Sequence, residues 1–541
     1  CLLPLNFRHC VTMKKKLVAG LAGLAAAAAA VVGGLPYYFG KQAETVLDGQ
    51  YRLLQESSFV TVESRIYERG WFSSTETMQV RLKPTLLNNA AAYLPDNLKT
   101  VLSEPVTVVN RIQHGPFAGG FAAAKVESEF RYRAESEKVL KRFFGDKTPV
   151  SLTNTIGFGG SGRLNLSIPA FDYDELSGIA LNWKGLEGQT DYTSGWQSYK
   201  SGYTAPGLHV KLADKGDIVL ENLHIGSDTY DSPSKLAVGS SSFKLNRLAL
   251  QWQEGLDYNI KLNELVNLVT DLQIGAFINP TGTVPPSKIT VENLRFDTTM
   301  NEEGGWASSE GRFRFDKLAY GNDTYGPLDI NVAAEHLEAA SLLAVKRKLA
   351  EIASRNMSED DIRTALLHTA RNEASGLFTG NPVIKIRTFD FALPQGKIHA
   401  DGQIAFNGLT RGDLDDFAAM LKKTQAEFRF NVPEPLLENM AVSQARSLFT
   451  VNPEDEAEGT AAVDDIDETL RLMVQSTVRN MAGQGFLTLD DSGNIATHID
   501  IAQGRMKLNG KVFEAEPEFD DLADGADAEA QTESEPSASG G

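Results

Sequence analysis

Apolar and polar residues alternate along most of the chain. Met78-Gln79-Val80-Arg81-Leu82-Lys83 is a clear case. Because side chains of a strand point alternately to its two faces, such a segment predicts a β-strand with one apolar and one polar face. Gly, Asn, Asp and Pro clusters separate the segments, which lie at 78–83, 126–132, 164–168, 179–183, 218–225, 243–252, 289–296, 313–318, 328–332, 428–432, 486–489 and 495–501.

The number of these segments predicts a mainly β (α+β) fold with long curved antiparallel sheets and several inserted or flanking helices. An open sheet of more than about ten strands usually curls or splits. Two arrangements therefore stay open at this point. One is a long curved sheet with an apolar inner face, and the other is a set of two or three sandwiches whose apolar faces bury each other.

Helical spacing of apolar residues interrupts the strand pattern. Asp413, part of an Arg-Gly-Asp tripeptide, is the predicted N-cap of one of these helices. Residues 452–459 are predicted to form an acidic loop. The predicted helices cover residues 42–56, 334–355, 358–374, 413–423, 435–449 and 464–481.

The N-terminal region contains an uncharged stretch of 24 residues, Leu17–Gly40, after Met13 and three lysines. About 20 apolar residues span a bilayer, and lysines favour the cytoplasmic side. Residues 13–40 therefore predict one N-terminal transmembrane helix, with Tyr37, Tyr38 and Phe39 at the membrane interface. The alternative is a cleaved signal peptide, which would export the same domain.

These boundaries predict four regions. Residues 1–12 are interpreted as an upstream extension of the gene, because Met13 and its lysines are typical of a true start. Residues 13–40 are the anchor, and residues 41–513 are the exported β-rich domain. Residues 514–541 contain ten acidic residues and no Lys or Arg, a composition that predicts a disordered acidic tail.

Composition and motifs argue against several classes of function. The net charge is −19, and no run of Lys and Arg follows Lys16, so nucleic acid is not an expected partner. Cys1 and Cys10 both precede the hydrophobic stretch, which leaves no cysteine for a disulfide or a metal site in the main domain. The histidines lack metal-ligand spacing. We therefore predict no catalytic, cofactor-binding or metal-binding residues, no cofactor, and no enzymatic activity.

Three local segments predict turns. Residues 157–162 match the G-x-G-x-x-G pattern, but an alternating segment follows, whereas the dinucleotide motif must open a helix. A glycine-rich hairpin loop is therefore predicted. Residues 67–74, Tyr-Glu-Arg-Gly-Trp-Phe-Ser-Ser, suit a hairpin turn with a permissive backbone at Gly70. Residues 114–117, His-Gly-Pro-Phe, suit an apolar turn.

The last two segments, followed by Gly-Asn-Pro-Val-Ile at 380–384 and Gly-Arg-Met-Lys-Leu-Asn-Gly at 504–510, resemble the YdgA family of Gram-negative envelope proteins. The resemblance runs from Met13 to about Val512. Asn381 stands where that family often has Asp. The resemblance implies an inner-membrane anchor with a periplasmic domain, and it implies no catalytic residue. In architecture alone, the β-rich body also resembles AsmA-like proteins, which are thought to carry or shield lipids.

The expected function is that of a membrane-anchored, periplasmic, non-enzymatic protein that binds or shields lipid or another hydrophobic ligand. Amphipathic strands tethered beside a membrane motivate this hypothesis, and inner-membrane lipids are the expected partners. The alternative is a scaffolding protein of the envelope that acts through protein contacts as a homo-oligomer. A carrier should keep a continuous exposed apolar strip of more than a few hundred Å², whereas a scaffold should not.

Overall fold

The computed structural model describes part of the chain, in two compact units, residues 1–415 and 416–541. Each unit is described by itself. The described residues are 33–55, 57, 60–83, 101–116, 120–252, 287–354, 364–366, 368–369, 372–439, 460–491 and 493–513.

Strands dominate the first unit. Its first nine are β1 (Val60–Arg69), β2 (Ser73–Leu82), β3 (Val106–His114), β4 (Ala124–Arg131), β5 (Ser151–Ile156), β6 (Gly162–Ile168), β7 (Phe171–Asp174), β8 (Ile179–Trp183) and β9 (Leu186–Tyr192). The next ten are β10 (Ser198–Leu212), β11 (Gly216–Asp231), β12 (Ala237–Trp252), β13 (Lys288–Glu303), β14 (Trp306–Phe315), β15 (Lys317–Tyr320), β16 (Asp323–Tyr325), β17 (Leu328–Glu338), β18 (Val383–Leu393) and β19 (Gly396–Phe406).

These strands form one antiparallel sheet. β1 to β6 pair in chain order, and β9 joins β6 to β10. β8 lies along the same edge of β10 as β9. The order then runs from β10 to β14 and continues through β17 and β18 to β19. β15 pairs with another part of β13, on the same edge as β14. The predicted long antiparallel sheet is therefore confirmed, and its curvature stays a prediction.

The sheet has a break in the same row of its central strands. Asn222 in β11 and Asn293 in β13 have left-handed backbones with φ of 53° and 55°, and no ladder pair includes either residue. Asn293 donates its side-chain amide to Asp316, 2.8 Å away, between β14 and β15. In β11 the apolar residues Ile218 and Leu220 have even numbers before the break, whereas the apolar residues after it have odd numbers. Strict alternation therefore holds only on each side of the break.

The described helices of the first unit include residues 33–55, 101–103, Ala134–Phe144, Ala339–Ser354 and Ser375–Thr379, with 3-10 turns at Ser194–Trp196 and Arg411–Asp415. The described part of the first of these helices contains residues 42–55 of the predicted helix 42–56. Residues 334–338, predicted as helix, extend strand β17 instead, because their backbone pairs with β14 and β18. Residues 364–366 and 368–369, within the predicted helix 358–374, are helical.

The predicted anchor is largely outside the described residues, which begin at residue 33. In the part of the chain that the structure describes, none of the helices is both long enough and apolar enough to cross a bilayer. Phe39 differs from the expectation that it lies at a membrane interface. Its side chain is 8% exposed, in a protein core with Ala43, Val46 and Leu47.

The second unit is a smaller antiparallel sheet with its own core. Strand β22 pairs with β20 on one edge and with β21 and β23 on the other, and β24 follows β23. Val478 of a long helix packs against Leu487 and Ile495. The strands are β20 (Thr424–Pro433), β21 (Thr488–Leu489), β22 (Asn494–Ala502), β23 (Arg505–Leu508) and β24 (Lys511–Phe513), and the helices are Phe417–Lys422, 434–439 and Thr460–Gln484.

Helix prediction was partly right in this unit. The predicted helix 464–481 is confirmed within Thr460–Gln484. The prediction of Asp413 as an N-cap is wrong. Asp416 caps the helix Phe417–Lys422 by accepting a hydrogen bond from the Ala419 amide, whereas Asp413 accepts from Thr410 at the 3-10 turn. Residues 440–449 and 452–459, which carry the rest of one predicted helix and the acidic loop, lie outside the described residues.

Candidate functional site

A row of apolar side chains crosses the central sheet on one face. Cross-strand partners in an antiparallel sheet point to the same face, so the register alone defines the row. One residue from each of seven strands, β10 to β14, β17 and β18, contributes to it. These residues are Tyr203, Ile225, Phe243, Phe296, Phe313, Ile330 and Phe389.

A second apolar row lies two residues along each strand, on the same face. Leu223, Leu245 and Leu294 are paired in the middle of the sheet. Phe315 and Phe391 continue the row, with ring centroids 6.0 Å apart in an edge-to-face contact. The two rows together form a band, here called the apolar face.

Hydroxyl groups border the apolar face on its other side. Ser201, Ser227, Ser241 and Thr298 are paired in one row across β10 to β13. Thr190 of β9 shares this row, and its hydroxyl oxygen lies 2.9 Å from that of Ser201. The border is therefore polar but uncharged.

The reverse face of the same strands is charged. Lys244, Arg295 and Arg314 are paired directly across three strands, and Asp329 and Asp390 continue the row. The alternation read from the sequence is thus realised as one apolar and one charged face.

Solvent exposure differs along the apolar face. Phe313 and Ile330 are buried, whereas Ile225 and Phe296 are 43% and 46% exposed. Exposing large apolar side chains to water is unfavourable. The part of the face near β11 and β13 is therefore open, and it could accept an apolar ligand.

The row that contains Tyr203 continues from β10 through β9, β6, β5 and β4 to β3 and β2. There it becomes polar, beneath the helix of residues 33–55. Glu76 and Asn110 occupy it on β2 and β3, and Glu76 is 1% exposed. The Glu76 carboxylate accepts hydrogen bonds from Arg65 Nε and Asn110 Nδ2, both at 2.6 Å. Arg65 also pairs with Asp48 of the helix at 2.7 Å. A charge network that is buried at Glu76 and exposed at Asp48 therefore links this helix to the sheet.

Two tryptophans also hold the N-terminal helix. Trp196 donates its indole N–H to the Val46 carbonyl at 3.0 Å and stacks on Tyr192, with ring centroids 4.0 Å apart. Trp71 donates to the Gly33 carbonyl at 2.6 Å. A side chain at Gly49 would meet the Trp196 ring at 2.7 Å, so the helix approaches the ring closely only because this residue is glycine.

Two of the sequence segments that carry the family resemblance meet at the start of this helix. Residues 67–74 form the predicted β1–β2 hairpin turn, where Gly70 donates to the Ser73 carbonyl at 3.0 Å. His114 ends β3, and its ring lies 2.8 Å from the Ser74 hydroxyl. The Gly115–Pro116 peptide bond that follows is cis. The structure therefore assigns both segments to helix docking, a role that the sequence did not reveal.

The other segments lie elsewhere. His336 donates to the Gly380 carbonyl at 2.6 Å, and Asn381 accepts from the Gly408 amide at 2.7 Å. Residues 504–510 belong to the second unit, where they form the β22–β23 turn, β23 and the next turn. The glycine-rich segment 157–162 joins β5 to β6 as a hairpin loop, as predicted.

Metal-ligating side chains do not cluster in the part of the chain that the structure describes. No group of three or more His, Cys, Asp or Glu side chains there is placed to hold a metal ion. The pKa of Tyr67 is raised to about 12, first by burial. The pKa of His114 is lowered, again first by burial. Both groups lie at the helix docking site, where Tyr67 packs against the core beneath the helix and His114 lies within hydrogen-bond distance of Ser74.

Comparison with known proteins defines the class. Residues 13–516 match a family described as bacterial protein of unknown function (DUF945). The chain therefore belongs to this bacterial family. No curated protein and no solved structure matches the chain.

Proposed function

We propose that this protein is a membrane-anchored, non-enzymatic protein of the bacterial envelope that binds or shields lipid acyl chains on its apolar face. The open part of that face, with Ile225 and Phe296 nearly half exposed, carries the proposal. The resemblance of the chain to envelope proteins and the uncharged residues 17–32, which follow three lysines, support the location beside a membrane.

The dimensions and chemistry of the face suit an acyl chain. From Tyr203 to Phe296, before the row reaches buried Phe313, it crosses three strand spacings, or roughly 14 Å at about 4.8 Å per spacing. One bilayer leaflet offers about 15 Å of hydrocarbon, so this part of the row is about as long as one acyl chain. The members of the row carry no charge, and the neighbouring hydroxyl groups can donate hydrogen bonds to the ester oxygens of a lipid.

The test compares charge on the two faces of one strand. Phe296→Asp places a carboxylate on the apolar face, and Thr299→Asp places the same group on the reverse face of β13. Native mass spectrometry would count phospholipids that co-purify with the full chain. We expect lipid on the wild type and on Thr299→Asp, and its loss from Phe296→Asp.

A second experiment, photo-cross-linking, tests the same contact without the charged variant, which could misfold. Benzoylphenylalanine at position 296 preserves an aromatic side chain, and the same residue at position 299 is the matched control. Lipid adducts at 296 but not at 299 would support the proposal. Equal adducts at both positions, or no bound lipid on a discrete oligomer, would reject it and favour the scaffolding alternative.

A further inference from the structure

Aromatic side chains from four separate segments gather at the start of the N-terminal helix. They come from the helix itself, the β1–β2 turn, the loop before β4 and the β5–β6 hairpin loop. This group, here called the aromatic collar, consists of Tyr37, Tyr38, Trp71, Phe72, Phe121 and Phe158.

Among the described residues, five of the six rings, all except Phe72, contact another aromatic ring at the start of the helix. Tyr37 and Trp71 have ring centroids 5.1 Å apart. Phe158 lies 5.0 Å from buried Phe39 and 4.8 Å from Phe121. The hairpin loop is also fixed to the helix, because Gln42 donates to the Phe158 carbonyl at 2.7 Å. The collar is thus a constructed surface rather than a set of unrelated exposed residues.

The collar is also exposed to solvent. Phe121 is 82% exposed, Phe72 60% and Trp71 53%. Single exposed apolar residues are ordinary, but a contiguous exposed group marks an interaction site. The collar lies apart from the apolar face, so it calls for a partner of its own.

The position of the collar identifies that partner. Residues 17–32, which lead into this end of the helix, carry no charge and follow three lysines. A chain that enters a bilayer there would bring the collar to the level of the lipid headgroups. Trp and Tyr favour this level because their rings are apolar and their N–H and O–H groups can be hydrated. Lys41 is exposed beside the collar and suits an anionic phosphate.

We propose that the aromatic collar docks the folded domain on the bilayer interface. Phe121 and Phe158 insert among the upper acyl carbons, while Tyr37, Tyr38 and Trp71 lie at the headgroup level. The folded domain then contacts the membrane through loops distant in sequence, in addition to the N-terminal stretch. This inference does not depend on a ligand bound to the apolar face.

The test reports the lipid contact of individual positions in the full chain. Cys1 and Cys10 are replaced by Ser, and a single cysteine is introduced as Phe121→Cys or Phe158→Cys and labelled with an environment-sensitive fluorophore. Leu176→Cys, at the exposed β7–β8 turn outside the collar, is the matched control. Each chain is reconstituted with vesicles of phosphatidylethanolamine and phosphatidylglycerol.

We expect a blue-shifted emission at positions 121 and 158, with several-fold stronger quenching by acyl-brominated lipid than at position 176. Equal quenching at all three positions would overturn the proposal and leave the collar to a protein partner. A chain that fails to float with the vesicles would overturn it too. Because both collar positions are on loops, loss of folding at one leaves the other as an independent reporter.

Discussion

Trp196 donates its indole N–H to the backbone carbonyl of Val46 at 3.0 Å, although 150 positions separate the two residues. This hydrogen bond joins the N-terminal helix to the connection between β9 and β10. The helix is therefore an integral part of the first unit, and its first described residues lie among the rings of the aromatic collar. Substitutions at this junction should affect the stability of the unit.

Gly49→Ala should lower the free energy of unfolding. The added methyl group would meet the Trp196 ring at 2.7 Å, and overpacking of this kind costs about 1–3 kcal/mol. This cost should exceed the gain of roughly 1 kcal/mol from replacing glycine in a helix. Urea unfolding monitored by circular dichroism would measure the change.

Gly483→Ala is the control for that experiment. Gly483 also lies in a helix, but a methyl group there would find open space. We expect this variant to be as stable as the wild type or slightly more stable. If both substitutions had the same effect, close packing at Gly49 would not explain the result.

Glu76→Gln should destabilise the first unit by roughly 3–5 kcal/mol, because it removes one partner of a buried ion pair and leaves Arg65 partly uncompensated. Glu76 is 1% exposed and accepts from both Arg65 and Asn110. Chemical denaturation of the full chain would provide the measurement.

Asp191→Asn tests whether burial of the Glu76–Arg65 ion pair explains the large loss of stability expected for Glu76→Gln. Asp191 pairs with Arg163 at 2.5 Å, but the side chains of the pair are 44% and 55% exposed. An exposed pair contributes less than about 1 kcal/mol. A loss at Asp191 as large as that at Glu76 would contradict the explanation.

Stability should fall as the pH drops below about 6.5, in part because of His114. Burial lowers the pKa of this ring, the carbonyl groups of Trp71 and Pro36 partly oppose the shift, and nearby Arg69 adds to it. Above the unfolded pKa of about 6.5, the His114 ring is neutral in both the folded and the unfolded state, and its stabilising contribution is fully present. As the pH falls through the folded pKa it is lost, because the unfolded chain takes up the proton first.

Thermal unfolding between pH 8 and pH 5 would measure this contribution. In His114→Gln the decline in stability should be shallower than in the wild type. Identical slopes for the two proteins would show that His114 does not supply the pH dependence.

Asn293→Val should destabilise the central sheet, whereas Asn293→Gly should retain its backbone. The residue has φ of 55°, and a left-handed conformation costs an ordinary residue roughly 1–2 kcal/mol, with more expected for a β-branched side chain. Glycine loses only the 2.8 Å hydrogen bond to Asp316. Thermal melting of both variants would separate them, and equal melting temperatures would refute backbone strain.

The fold class was largely predictable because side-chain periodicity is local. The alternation of apolar and polar residues around Phe243 and Leu245 predicted a strand. The spacing of Ala43, Val46 and Leu47 predicted an apolar face of a helix. Prediction was wrong where pairing overrode spacing. Residues 334–338 have helix-compatible spacing, but partners on β14 and β18 hold them extended.

The sites were less predictable because they combine distant segments. Residues 67–74 and His114 were recognised as turns, but nothing in either segment shows that the two lie on opposite sides of one hydrogen bond. Phe121 and Phe158 gave no sequence signal at all, since isolated phenylalanines in loops are common.

The sequence by itself therefore determined the amphipathic character of the strands, the helical face of the N-terminal segment and the absence of a local catalytic motif. These depend on the order of neighbouring residues. Only the tertiary structure decided that Ile225, Phe243 and Phe296 align in one row, and that loops far apart in sequence form one aromatic collar. The physical reason is that strand register and loop positions are set by the packing of the whole sheet, which local sequence does not encode.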